Sequence, residues 1–315
     1  MLLDLALVPE VFEEAAYSAT GLCGHYLRTL ADVVLEQAVV RDLRNGGWSR
    51  HMGLKPGQWH PATNEIIETL AKQKRLCEFP PALADEPDES REWCYEALAT
   101  HEKMPLNGIV CGNGLSAEFP GDTLVQPLEK IHDSAWYKGR STSVRLKRQS
   151  AEYLKHLRVP LKWCNSAMFI DAHLDPSRPG YGEFYQLLEM ARTRDVPPLI
   201  ELHRCLPFAG TGPDRRALSR REVEDLFKPL SERLTHAKMS AEVYVWDTMH
   251  DRYLITNLIG ISLPNGFDVS PDPNDYTTWT RVSARDREDI QREFDPASKR
   301  HQLRWRFDIG EIRDE

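Results

Sequence analysis

The sequence predicts an α/β protein: a helical N-terminal region, residues 1–150, followed by a domain, residues 151–315, in which a mixed β-sheet is flanked by helices. Three observations carry this expectation. Apolar residues recur at helical spacing through the first half, short apolar strands alternate with amphipathic helices after residue 160, and strands follow one another closely from residue 241 onward.

The elements justify the class in order. Residues 1–15, "MLLDLALVPEVFEEA", place Asp4 at the end of a short apolar strand and begin like an acidic-cluster nuclease domain, a chemistry that needs several convergent carboxylates. From 24 to 43, Leu27, Leu30, Val33, Val34, Ala38 and Leu43 keep close to one helical face, which predicts a single helix. Further helices are expected at 62–74 and 90–101, the second after the acidic loop "ADEPDES", whose Ser90 is placed to cap it. "GIVCG" at 108–112 reads as a short strand before a Gly/Pro-punctuated loop. Residues 167–175 form an apolar strand ending in charge, and 181–194 an amphipathic helix. Residues 198–205 make a second strand. Ser219 and Glu222 stand in capping-box spacing before a helix at 220–234, and 241–247, "RYLITN", "TWTRV" and "LRWRFDIGE" supply further strands.

Composition bounds what such a chain does. With 315 residues there is material for two ordinary domains. A net charge of −8 argues against a protein that coats nucleic acid non-specifically, since that needs a basic surface. The six cysteines show no metal-ligand spacing and the N-terminus lacks signal-peptide features, so reduced thiols in a cytoplasmic protein are expected. No apolar run reaches the roughly 18 residues of a membrane span. The most basic stretch, 136–158, sets Lys138, Arg140, Arg145, Lys147 and Arg148 near Trp136, Tyr137 and Tyr153. It reads either as a nucleic-acid phosphate contact or as a solvated connection between the halves. The eight tryptophans are expected mainly in cores.

One short stretch carries more chemistry than the rest. A histidine followed two residues later by Lys or Arg occurs four times, at His101, His156, His236 and His250. Only His250 is followed seven residues on by a polar amide, giving H-x-R-x-x-x-x-N with His250, Arg252 and Asn257 at the mouth of an apolar strand.

In these residues the chain resembles the phospholipase D superfamily, whose signature is H-x-K-x-x-x-x-D. The resemblance covers roughly residues 150–310 and implies His250 as a nucleophile on phosphorus, Arg252 as a phosphate ligand and Asn257 as a supporting polar group. It implies no metal and no cofactor. Arg stands in place of Lys and Asn in place of Asp, and "LPNGFD" replaces the family's small Gly-Ser. The His-Asp-Arg form, with Asp251 in the middle, is similar to the degenerate branch, in which the pocket binds without cleaving. A catalytic site of this family uses two histidines. Either two chains pair as a homodimer, or a second histidine comes from the same sheet, with His173 and His203 at predicted strand ends as candidates. The resemblance thus implies a nucleic-acid phosphodiesterase, with a role in bacterial defence alongside partner proteins, or alternatively a binding module with an inert pocket.

Overall fold

The structure, a computed structural model, describes residues 1–18, 20–54, 57–192 and 197–310. It divides into two compact units, Leu2–Ser141 and Thr142–Glu315 with Met1.

The first unit is built on a five-stranded parallel sheet in the order β3-β2-β1-β4-β5, with β1 at Leu3–Leu7, β2 at Ala38–Asp42, β3 at Leu76–Phe79, β4 at Gly108–Cys111 and β5 at Val125–Pro127. Helices α1 (Cys23–Gln37), α2 (Leu43–Leu54), α3 (Ala62–Lys72), α4 (Ser90–Lys103), α5 (Asn113–Ser116) and α6 (Ala135–Lys138) connect or follow its strands. The α/β class therefore holds in both halves, and the N-terminal half contains strands that helical periodicity hides. The helix expected over 24–43 stops at Gln37: Ala38 turns to extended geometry and Ala38-Val39-Val40 pair with Leu3, Asp4 and Leu5. All five residues of β2 are buried, so its apolar run lacks the alternation by which a strand is recognised. The cap of α4 is also one residue earlier than expected, because Glu89 and Glu92 form the reciprocal capping box.

Asp4 is not part of an open acidic cluster. It lies within β1, opposite Val39, and is fully buried. Arg41 on β2 grips both its oxygens, at 3.0 and 2.9 Å, and spends its remaining N–H groups on the Thr100 carbonyl and hydroxyl and on the Met104 carbonyl. All five guanidinium donors are thus used inside the core, which makes the pair a structural clamp.

The second unit carries an eight-stranded mixed sheet in the order β15-β11-β8-β7-β12-β13-β14-β6. Its strands are β6 (Ser143–Lys147), β7 (Ser166–Asp171), β8 (Leu199–Cys205), β11 (Ser240–Trp246), β12 (Arg252–Thr256), β13 (Gly260–Ser262), β14 (Tyr276–Arg281) and β15 (Leu303–Gly310), while β9 (Phe208–Ala209) and β10 (Arg216–Ala217) form a separate ribbon. The helices are α7 (Ser150–Trp163), α8 (Tyr185–Ala191), α9 (Arg220–His236) and α10 (Ala284–Glu293). The expected helix over 181–194 begins as a short 3-10 turn and continues as α8; its residues 193–194 lie outside the described residues, as does Glu311 of the last expected strand. Strands β7, β8 and β11 run parallel, whereas β12 is antiparallel to β7 and β15 to β11. That polarity decides where chemistry can gather: the ends of β7, β8 and β11 and the starts of β12 and β15 share one edge of the sheet.

The cysteines are all free thiols, five buried and Cys205 half-buried. Six tryptophans, Trp48, Trp93, Trp136, Trp163, Trp246 and Trp279, are buried in cores. No helix among the described residues is long and apolar enough to cross a membrane.

Candidate functional site

The shared edge of the second sheet is organised around a buried carboxylate, Asp171, the last residue of β7. Its Oδ1 accepts from the His173 backbone N–H at 3.0 Å and lies 3.5 Å from Arg252 Nε; its Oδ2 accepts from the Tyr181 hydroxyl at 2.9 Å and from the Phe267 N–H at 3.0 Å. Burial, with the adjacent carboxylate, holds the Tyr181 phenol well above its usual range, so it stays protonated and donates. Three hydrogen bonds and one ion pair onto a single carboxylate tie the turn after β7, the start of β12 and the loop after β13 to one point.

Arg252 is held in this frame. It is the first residue of β12, paired in register with Asp171, and its Nη1 donates to the Pro264 carbonyl at 3.0 Å. Its side chain remains 26% exposed, and among the described residues its Nη2 makes no hydrogen bond. The guanidinium is therefore oriented from behind with one edge left for a ligand.

Two histidines stand beside it. His250 precedes β12 by two residues and His173 follows Asp171 by two, so the Arg252/Asp171 pairing places both at the same edge from matching positions on adjacent strands. Both are exposed, and among the described residues the His250 side chain has no hydrogen-bond or ion-pair partner. Between His250 and Arg252, the half-buried Asp251 turns toward Glu293 and His301.

The structure does not bring the other expected residues to this point. Asn257 follows the far end of β12, where its side-chain oxygen accepts from the Asn165 N–H at 2.7 Å and its carbonyl from Arg287. Seven residue steps of near-extended chain separate it from His250, roughly 20 Å at about 3.3 Å per residue. It fastens the opposite edge. His203 is fully buried inside β8, stacked on Tyr244 with ring centroids 4.7 Å apart, its Nδ1 accepting from Trp246 Nε1 and its Nε2 set 3.1 Å from Glu201. Burial depresses its basicity, and it is a core residue with no opening to a ligand.

The basic stretch is divided. Lys138 and Arg140 belong to the first unit, where Lys138 pairs with Asp133 and Arg140 lies 3.5 Å above the Tyr137 ring. Arg145 and Lys147 lie on β6, at the other border of the second sheet, with Arg145 over Tyr276. Arg148 is consumed by Asp268 at 2.8 Å and Asp275 at 2.7 Å. The acids that anchor Arg148 lie 120 and 127 positions away in sequence, beyond the reach of a composition window.

The sequence marks Asp171 only as a charge at a strand end and does not single out Tyr181 or Gly266. Gly266 has φ +72°, and a Cβ there would meet Asp171 Oδ2 at 2.1 Å, so the loop approaches the carboxylate as only glycine allows. The positive-φ glycine in "LPNGFD" was the available signal, but the partner it makes room for appears only in the fold.

No protein-family model matches the chain, and no curated protein matches it. Among solved structures it is similar to TrmBL2, an archaeal chromatin protein whose structure shows a novel mode of DNA binding, at 9% identity over 78% of this chain and 83% of that one, with a TM-score of 0.30. A likeness of that size carries no inference about fold or activity.

Proposed function

We propose that the edge formed by β7 and β12 binds a phosphodiester of a nucleic acid and cleaves it through His250, with Arg252 holding a non-bridging phosphate oxygen and His173 moving the proton. The observation that carries the reading is the pre-oriented Arg252 guanidinium, braced by Asp171 and Pro264 and open on one side, with the exposed His250 two residues before it and the exposed His173 two residues beyond Asp171. In the first step a neutral imidazole nitrogen of His250 bonds to phosphorus, the P–O bond to the leaving group breaks, and the leaving oxygen takes a proton from His173. In the second, water attacks the phosphohistidine while His173 recovers a proton, and the P–N bond breaks.

The test uses labelled single- and double-stranded DNA and RNA with purified protein. Cleavage is expected to vanish in His250→Ala, to fall about 100-fold or more in His173→Ala, and to weaken with Arg252→Ala mainly through binding. Alkaline denaturation during turnover should trap a phosphohistidine absent from His250→Ala. Cleavage that survives His250→Ala would sink the mechanism.

A second reading, phosphate binding without cleavage, is favoured by one observation: the His250 ring has no hydrogen-bonding group to orient it among the described residues. It expects affinity that depends on Arg252 with no product and no trapped adduct.

A further inference from the structure

We propose that Asp251, Glu293 and His301 form a site for a divalent transition-metal cation that fixes the loop bearing His250. The three residues come from separate segments: Asp251 from the turn before β12, Glu293 from the last position of α10, and His301 from the approach to β15. One ligand atom from each lies within 4.8 Å of the others, and all three are half-buried.

Two features of the hydrogen bonding call for a cation. His301 Nδ1 lies 3.1 Å from the Thr248 carbonyl oxygen and its Nε2 2.9 Å from Glu293 Oε1, and both partners can only accept. A neutral imidazole has one ring proton for these two contacts, so with Nδ1–H on Thr248 the Nε2 lone pair is left facing the carboxylate. Two acceptors at that distance repel unless a positive charge joins them. A ring N–H donated to a backbone carbonyl is also the arrangement that sets a metal-ligating histidine in the right tautomer. The second feature is Asp251, which among the described residues has no hydrogen bond or ion pair although its carboxylate adjoins the other two groups. Two carboxylates and an imidazole balance a divalent charge, and that mixed donor set suits Zn²⁺ or Mn²⁺, with water completing the coordination.

A proton on His301 is the competing occupant. It would satisfy Glu293 but leave Asp251 unpaired. Arg300 also approaches Glu293 Oε1, at 3.0 Å; its side chain is 67% exposed and free to swing into solvent as the cation enters, leaving Oε1 and Oε2 available. The consequence would be local. Asp251 sits between His250 and Arg252, so a cation there ties both to α10 and to the start of β15. The site stands independently of any phosphodiester chemistry.

The experiment is equilibrium dialysis of the full chain, first stripped with chelator, against Zn²⁺ and separately Mn²⁺ at neutral pH, followed by elemental analysis. One equivalent bound is expected, with affinity falling at least tenfold in Asp251→Asn and in His301→Ala, and with unchanged circular dichroism in both. Asp251→Asn is near-isosteric and severs no hydrogen bond of the fold, so its loss of metal cannot be blamed on unfolding. Metal bound equally well by Asp251→Asn would place it elsewhere, on cysteines for example, and would overturn the assignment, as would no binding by the parent chain. Because the readout is bound metal, its failure leaves the phosphohistidine test untouched.

Discussion

At the scale of single residues, the site depends less on the visible His250 and Arg252 than on the unremarked Asp171 and Gly266. Asp171 is buried at the end of a strand and gathers three hydrogen bonds and the Arg252 ion pair, and Gly266 supplies the space in which the loop after β13 can reach it. Gly266→Ala would force an L-residue into positive φ and drive a methyl into a carboxylate oxygen, so the loop must withdraw and leave the buried carboxylate short of a donor. A loss of about 2–4 kcal/mol is expected from the strain together with the lost hydrogen bond. Chemical denaturation of the variant measures it; a shift below about 0.5 kcal/mol, the ordinary range of surface changes, would show that the loop is not held in this way. The charged triplet was legible in the sequence because it interrupts an apolar run, whereas Asp171 looked like one more charge at a strand end. What distinguishes it is register, the pairing of Asp171 with Arg252 across 81 positions of chain, and register is a property of the assembled sheet.

At the scale of elements, β2 shows why part of the first unit's sheet was hidden. A parallel strand buried on both faces has no polar side, so the sequence of β2, AVVRD, does not alternate, and its β-branched run directly after α1 continues the helix's apolar count. In the second unit β14 was legible, since it alternates exposed and buried positions along its length. The two charges within β1 and β2 instead define a clamp. Arg41→Met would strand Asp4 with no cation in a fully buried position, and about 3–5 kcal/mol of stability should be lost. Asp4→Leu combined with Arg41→Met removes both charges and should recover most of that loss. If the double variant is as unstable as the single one, the cost lies in the Thr100 and Met104 contacts rather than in the orphaned carboxylate.

At the scale of the whole molecule, the same buried charges give stability a dependence on pH whose sign can be worked out from His203. Burial depresses its folded basicity below the ordinary histidine value near 6.5, and Trp246 Nε1 donates to its Nδ1, so a second ring proton would break that bond. The unfolded chain keeps the ordinary value. As pH falls through about 6.5 toward the folded value, the unfolded state therefore takes up a proton that the folded state refuses, and stability present above that window is lost within it. His156 on α7, also held down by burial, acts in the same direction. In the first unit Glu10 and Asp42 work oppositely, because burial raises both carboxyls and the folded state there binds protons first as pH falls. Hydrogen exchange corrected for intrinsic rates should show β8 and β11 losing protection between about pH 7.5 and pH 5.5, while β1 and β2 do not lose it. His203→Gln, which cannot be protonated, should flatten the response of β8 and β11. A response that stays as steep in that variant would assign the proton uptake to another group and detach the Tyr244, His203 and Trp246 stack from the acid sensitivity of the sheet.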